Sequence, residues 1–276
     1  MLKLIKAEIF KQRKRSMTLV LGIILLAVVF LMMLLMQAAI KSGNGNALPG
    51  DISLLKEMIP LTLTIIAQLG TLLAVILVAG SIGSEYSWHT IRPYLLCSES
   101  RVKMFTAKLI TAAISILAGM VIAVIATIFL GMLFTAIRGF SWDMSFFDLT
   151  FISNQLLTFI RTFYVILPYT LLAFLFTVIG RSTAAGIGLG IGVFFLEPPI
   201  AVLMSINTGW ISKIPDYLLH NNIQAINVLA ESSLKIDIGQ AGHLPGILHA
   251  FIILTGYCAA FIAIAFTLFR KRDVTG

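Results

Sequence analysis

The hydrophobic and polar positions of this 276-residue chain separate into long apolar runs and shorter polar connections. A helix needs about 20 apolar residues to cross roughly 30 Å of hydrocarbon, and six runs reach that length. They lie at about 17–40, 59–83, 109–137, 156–180, 183–206 and 247–269. The pattern therefore predicts an all-α membrane protein in which residues 1–276 form a single transmembrane domain with six membrane-spanning helices.

The composition supports a membrane protein and argues against a water-soluble fold. Hydrophobic residues make up 59% of the chain and charged residues 12%, and the mean hydropathy is +1.00. The 20 Lys and Arg exceed the 12 Asp and Glu, which in such a chain indicates basic loops beside anionic lipid rather than nucleic-acid binding. We expect no disulfide, because Cys97 falls in a loop and Cys258 in a span.

The basic residues also predict the orientation of the spans. Lys and Arg accumulate in short cytoplasmic segments, and most of those in this chain fall on the side of the two termini. We therefore expect a multi-pass protein of the cell membrane with both termini in the cytoplasm.

Two segments outside the spans have helical periodicity. Residues 1–16 carry Leu2, Ile5 and Ile9 at helical spacing, which predicts an amphipathic interfacial helix that either anchors the first span to lipid or takes part in coupling. Residues 215–230 predict a short helix lying at the outer surface.

The segment after the second span has the most specific sequence pattern. Gly83 and Glu85 end the apolar run, Thr90-Ile91-Arg92 follows, and Ser100-Arg101 and Lys108 precede the next span. In this order and spacing the segment resembles the permeases of the ABC type-2 exporter family. The six spans, the amphipathic N-terminal helix and the terminal sequence Phe269-Arg270-Lys271-Arg272-Asp273 extend the resemblance over nearly the whole chain.

The resemblance implies that residues 1–276 are a transmembrane permease domain. Two such subunits, identical or homologous, would pair in the membrane above two cytosolic ABC ATPase subunits. This chain has no Gly-Lys pair and hence no Walker loop, so ATP and Mg would be bound by the ATPase, and the chain by itself would bind no cofactor or metal and would be no enzyme.

The cytoplasmic segment between spans two and three is the predicted contact with the ATPase. An apolar and aromatic surface in a cytoplasmic loop usually marks an interface, and energy can be transmitted only through a packed element. The candidate ATPase-coupling residues are Glu85, Tyr86, Trp88, Ile91, Arg92, Tyr94, Leu95 and Leu96. We expect Arg101, Lys103 and Lys108 to act mainly as lipid anchors.

Two ionisable residues within the spans, Arg161 and Glu197, are candidates for a functional role because intramembrane charges are costly. Their predicted depths agree, so we expect them to form an ion pair; the alternative is that Arg161 reaches the outer headgroups. Pro198 and Pro199 predict either a break in the fifth span beside the exit route or the end of that helix.

Four glycines of the fifth span are spaced for close helix packing, either within the subunit or across a dimer. They are Gly186, Gly188, Gly190 and Gly192. Two other functions remain open: a secondary transporter with Glu197 as its proton carrier, and an intramembrane enzyme. The chain has no His-Glu-x-x-His or Gly-x-Ser-x-Gly motif that would favour the enzyme.

Overall fold

The computed structural model describes residues 2–41, 54–87, 101–138, 148–206, 210–228 and 245–271, and the regular structure in these ranges is helical. The helices are α1 (Leu2–Lys14), α2 (Ser16–Lys41), α3 (Leu54–Ile65), α4 (Thr71–Ser87), α5 (Arg101–Arg138), α6 (Leu149–Gly180), α7 (Thr183–Ser205), α8 (Leu219–Val228) and α9 (Ile247–Lys271). A π-helical turn at Ile66–Gly70 joins α3 to α4, and a 3₁₀ segment at Trp210–Tyr217 precedes α8.

Six of the described helical stretches are long and apolar enough to span a membrane, as the sequence pattern predicts. They are Ser16–Leu35, Met58–Tyr86, Val102–Ile137, Leu149–Gly180, Thr183–Ser205 and Ile247–Arg270. The third and fourth begin about seven residues earlier than their apolar runs, because polar residues can continue a helix once its apolar part has nucleated it. The chain is a multi-pass α-helical membrane protein.

Helix α6 is the central element of the bundle and packs against α4, α7 and α9. Its buried side chains include Ile166, Tyr169 and Phe174. Phe105 of α5 meets the edge of Phe174 at a ring-centroid distance of 5.4 Å. Large apolar side chains elsewhere, such as Phe129 at 67% exposure, face outward, as expected where lipid rather than water is the solvent.

A tight turn joins α6 to α7 and makes them an antiparallel pair. Arg181 adopts a left-handed conformation with φ of 48°, and the Ser182 hydroxyl accepts a hydrogen bond from the Ala184 N–H at the start of α7. These two residues close α6 and begin α7 with no further linker. The first turns of α7 therefore lie against the last turns of α6.

The four glycines of α7 lie in two pairs on different faces of the helix. A Cβ on Gly186 would lie 1.9 Å from Thr177 Oγ1, and one on Gly190 would lie 3.0 Å from the side chains of Ala173 and Val75. Gly188 and Gly192 have no other described atom within 4 Å of that position. The first pair thus allows α7 to approach α6 and α4 within the subunit, whereas the second pair opens outward.

Helix α7 continues through Pro198 and Pro199 to Ser205, so the predicted break or end of the fifth span at these prolines is wrong. Each proline removes one helical donor, but the hydrogen bonds of the flanking turns remain. Two missing donors are therefore tolerated within a 23-residue helix.

The helix predicted at 215–230 is present as α8, and its position at the outer surface of the membrane stays a prediction. Its residues Leu219, Asn222, Ile223, Ala225 and Ile226 are buried, and it packs against α6, α7 and α9. Its first backbone amides reach Glu197, which lies eight residues before the end of α7, or about 12 Å along the helix axis. The chain therefore turns back along α7 before α8 begins.

Candidate functional site

Four charged side chains from three helices meet at the end of the bundle where α1 lies. Lys108 of α5 contacts Glu8 of α1 at 3.2 Å and Glu85 of α4 at 2.6 Å. Lys11, one turn after Glu8, also pairs with Glu85. We call these four residues the ionic cluster.

Three of the four residues of the ionic cluster are buried. Glu85 is 3%, Lys108 7% and Glu8 8% exposed, whereas the Lys11 side chain remains partly exposed. Buried charges are costly unless they are paired, and removing one partner of a buried pair costs about 3–5 kcal/mol. The ionic cluster therefore fixes the positions of α1, α4 and α5 relative to one another.

Further polar contacts extend this junction towards the start of α2. Arg15, which separates α1 from α2, donates to the backbone carbonyls of Ser81 at 2.9 Å and Gly80 at 3.3 Å. The Ser115 hydroxyl of α5 lies 2.8 Å from Gln12 Oε1 of α1. The second half of α1, from Glu8 to the junction at Arg15, is therefore held by polar contacts to α4 and α5.

The face that α1 turns toward the protein mixes polar and apolar side chains, since Leu4, Ile5 and Ile9 are half-buried on it. Glu8 and Gln12 are its buried residues, whereas Leu2 and Phe10 are 75% and 64% exposed. The deeply buried polar residues are those that meet α4 and α5, and exposed apolar and basic residues lie on the opposite face.

Comparison with known proteins places the chain in a family. The family model described as "Protein of unknown function (DUF2705)" matches residues 24–275. The chain belongs to the DUF2705 family. No curated protein matches it. In this DUF2705 member the match covers the second part of span one and all of spans two to six, so it includes Glu85 and Lys108 but not α1.

Of the predicted ATPase-coupling residues, the structure describes two, both at the end of α4. Glu85 is the centre of the ionic cluster, and Tyr86 packs half-buried against the hydrophobic core. The other six, Trp88, Ile91, Arg92, Tyr94, Leu95 and Leu96, lie outside the described residues. Their role remains a prediction.

The predicted ion pair between Arg161 and Glu197 is absent from the described structure. Glu197 of α7 instead accepts a hydrogen bond from the Tyr169 hydroxyl at 2.7 Å and from the backbone amides of Leu219 and His220. Arg161 lies eight residues before Tyr169 on α6, about 12 Å away along the axis.

The prediction placed Arg161 and Glu197 at one level because it counted their depths from opposite ends of two spans. Counted from the turn that α6 and α7 share, Arg161 lies 19 residues before Gly180 and Glu197 lies 14 residues after Thr183. At 1.5 Å per residue these positions differ by about 7 Å. The shared turn sets the register between α6 and α7, and this register places Glu197 beside Tyr169.

Sequence reasoning missed Glu8 and assigned Lys108 a lipid-anchoring role that its burial and two ion pairs contradict. A signal for Glu8 existed, since it is the single acidic residue among the first sixteen positions of the chain. Its partner is about a hundred residues away in sequence, so no local pattern could have identified the pair. In the described part of the chain, no three His, Cys, Asp or Glu side chains gather as a metal site.

Proposed function

We propose that this DUF2705 protein is the membrane-spanning permease subunit of an ATP-driven ABC exporter. In this proposal, a separate cytosolic ATPase, present in two copies, binds ATP and Mg and powers outward movement of a substrate. A second permease subunit, identical or homologous, completes the transporter. The class of substrate is an amphipathic peptide, an antibiotic, a lipid-like molecule or an ion.

The ionic cluster is the observation that supports this function. An ATPase on another chain can move membrane helices only through a rigid contact, since coupling requires a packed element that both partners bias. Glu85 ends span two and Lys108 lies near the start of span three, so they flank residues 88–100 on both sides. A force applied to that loop would act on α1, α4 and α5 together.

Charge and sequence are consistent with this end of the bundle facing the cytoplasm. Lys3, Lys6, Arg13 and Lys14 are exposed on α1, and basic segments of this kind remain on the cytoplasmic side. The resemblance of residues 83–108 to ABC type-2 permeases points to the same loop as the ATPase contact.

The test is isolation of the chain with its partners. We would tag the chain in its native cells, cross-link it in the membrane, and identify the proteins that co-purify. The expected result is an ATPase with a Walker loop, in about equal amount to the permease. A chain recovered intact from cross-linked membranes without such an ATPase would overturn the proposal.

Coupling is tested with the recovered complex. Lys108→Gln should leave the ATPase bound but reduce the change in ATP hydrolysis that the permease causes, because Glu8 and Glu85 each lose a partner. Lys6→Gln removes an exposed charge from α1 and is the matched control, for which we expect hydrolysis close to the unmodified complex. Equal effects of the two substitutions would exclude the ionic cluster from coupling.

A further inference from the structure

A small polar pocket lies between α1, α4 and α5, beside the ionic cluster. It is lined on α1 by Glu8, Lys11 and Gln12, and on α5 by Lys108 and Thr111. Arg15, Ser81, Ile82 and Ala112 complete its wall. Glu8, Lys11 and Lys108 belong to the ionic cluster, but the exporter function proposed above assigns no ligand to the space between them.

Two buried polar groups of the pocket wall lack a partner among the described residues. They are Nε2 of Gln12 and Oγ1 of Thr111, and these two residues are 7% and 4% exposed. The Gln12 Oε1 atom already lies 2.8 Å from the Ser115 hydroxyl, which orients the amide and leaves its NH₂ group available. An unsatisfied buried donor costs about 1–3 kcal/mol, so a ligand that accepts from both groups would be favoured.

The charge of the pocket favours an anionic ligand. Lys11, Arg15 and Lys108 contribute three positive charges, and the two carboxylates that meet them, Glu8 and Glu85, contribute two negative charges. The balance is one positive charge. Amide and hydroxyl donors beside a net positive charge are typical of sites for phosphate oxygens.

The size of the pocket limits what can enter. It has room for about one water molecule, and hence for one oxygen atom of a larger group. A free phosphate would have to bury four oxygens, whereas a lipid phosphate can insert one oxygen while its ester groups remain outside.

The outer face of α1 provides suitable surroundings for a lipid. Leu2 and Phe10 are exposed there together with Lys3 and Lys6, and the Lys14 ammonium lies 5.7 Å from the Phe10 ring centroid. Exposed apolar and basic side chains on one helix are the pattern that binds anionic membrane interfaces. The pocket therefore lies on the inner side of a helix suited to headgroup depth.

We propose that this pocket binds one phosphate oxygen of an anionic phospholipid headgroup through Gln12 and Thr111. The bound lipid satisfies both donors and neutralises the remaining positive charge. It thereby holds α1 against α5, independently of whether an ATPase partner is present.

The test compares lipids on the purified full-length chain in detergent. Phosphatidylglycerol is titrated against phosphatidylcholine and against inorganic phosphate, with thermal unfolding as the readout of binding. We expect phosphatidylglycerol to raise the unfolding temperature at lower concentration than phosphatidylcholine, and inorganic phosphate to have no comparable effect. A shift of equal size with inorganic phosphate would overturn the assignment to a lipid.

Uncharged substitutions then distinguish the pocket from general attraction to basic side chains. Gln12→Leu and Thr111→Val leave the charge unchanged, and each should weaken the apparent affinity for phosphatidylglycerol about tenfold, the effect of one lost charge-assisted hydrogen bond. Thr111→Ser retains the hydroxyl and should retain the affinity.

Lys3→Gln with Lys6→Gln is the complementary control, because it removes exposed charges but none from the pocket. If this pair of substitutions abolishes the lipid preference and the two pocket substitutions do not, the lipid binds to the outer face of α1 and the proposed site is wrong. The same conclusion follows if no substitution or lipid changes the unfolding temperature, since the pocket would then hold water.

Discussion

The close approach of α7 to its neighbours at Gly186 leads to a prediction that compares two glycines on one helix. A Cβ on Gly186 would lie 1.9 Å from Thr177 Oγ1 and 2.9 Å from Ala79 Cβ, and both neighbours are fully buried. The Thr177 hydroxyl donates to the Ala173 carbonyl at 2.7 Å, so it cannot rotate away without losing that bond. Gly186→Ala therefore requires α7 to move outward from α6 and α4.

The magnitude follows from two opposing effects. Overpacking a filled core costs about 1–3 kcal/mol, whereas replacing a helical glycine by alanine gains roughly 1 kcal/mol. Gly188→Ala should show the gain alone, because no other described atom lies within 4 Å of its Cβ position. The helical gain is common to both variants, so the difference between them should be about 1–3 kcal/mol in favour of Gly188→Ala.

The assay is thermal unfolding of the purified variants in one detergent. For a chain of this size, we expect Gly186→Ala to unfold several degrees below Gly188→Ala, since about 1 kcal/mol shifts the midpoint by roughly 2–4 °C. Thr177→Ala in the Gly186→Ala background should restore part of the loss by removing the nearest atom. Equal midpoints for the two alanine variants would refute the packing argument. A change in oligomeric state confined to Gly188→Ala would instead locate a subunit contact on the outward-facing glycines.

Two further predictions concern other contacts of α7. Gly83→Ala should destabilise the chain, because its Cβ would lie 2.5 Å from the Thr183 Cα, a backbone atom that cannot rotate away. An unfolding temperature equal to or above that of the unmodified chain would contradict this contact. Glu197→Ala should cost about 1–3 kcal/mol because the buried Tyr169 hydroxyl and the first amides of α8 lose their acceptor. Tyr169→Phe should cost less because those amides keep their acceptor. The same unfolding assay measures both, and a Tyr169→Phe variant less stable than Glu197→Ala would show that the carboxylate does not hold α8.

Much of the architecture could be predicted because a bilayer imposes strict requirements on sequence. Each span needs an uninterrupted apolar helix, and this requirement located all six spans. Helical periodicity outside the spans located the α8 segment. Local chemistry also predicted the short connection between α6 and α7, where Gly180 to Ser182 interrupt the apolar pattern. These features depend only on neighbouring residues.

The polar interactions could not be predicted in the same way. Lys11 and Glu85 are 74 residues apart, and Glu8 and Lys108 are 100 residues apart, so their pairing depends on how α1, α4 and α5 pack. The partner of Glu197 depended on the register between α6 and α7, which the turn at Arg181 sets. Because the predicted register was wrong by about 7 Å, the prediction paired Glu197 with Arg161 instead of Tyr169.

The sequence by itself thus determined the number of spans and the class of protein, because crossing lipid demands a length and an apolarity that each segment must satisfy alone. The tertiary structure decided which glycines of α7 are in contact and which charges share the ionic cluster. It also decided that α1 buries Glu8 and Gln12 most deeply, with Leu4, Ile5 and Ile9 half-buried beside them. The physical reason is that a buried polar group is stabilised only by its partner, and the partner is supplied by helix packing.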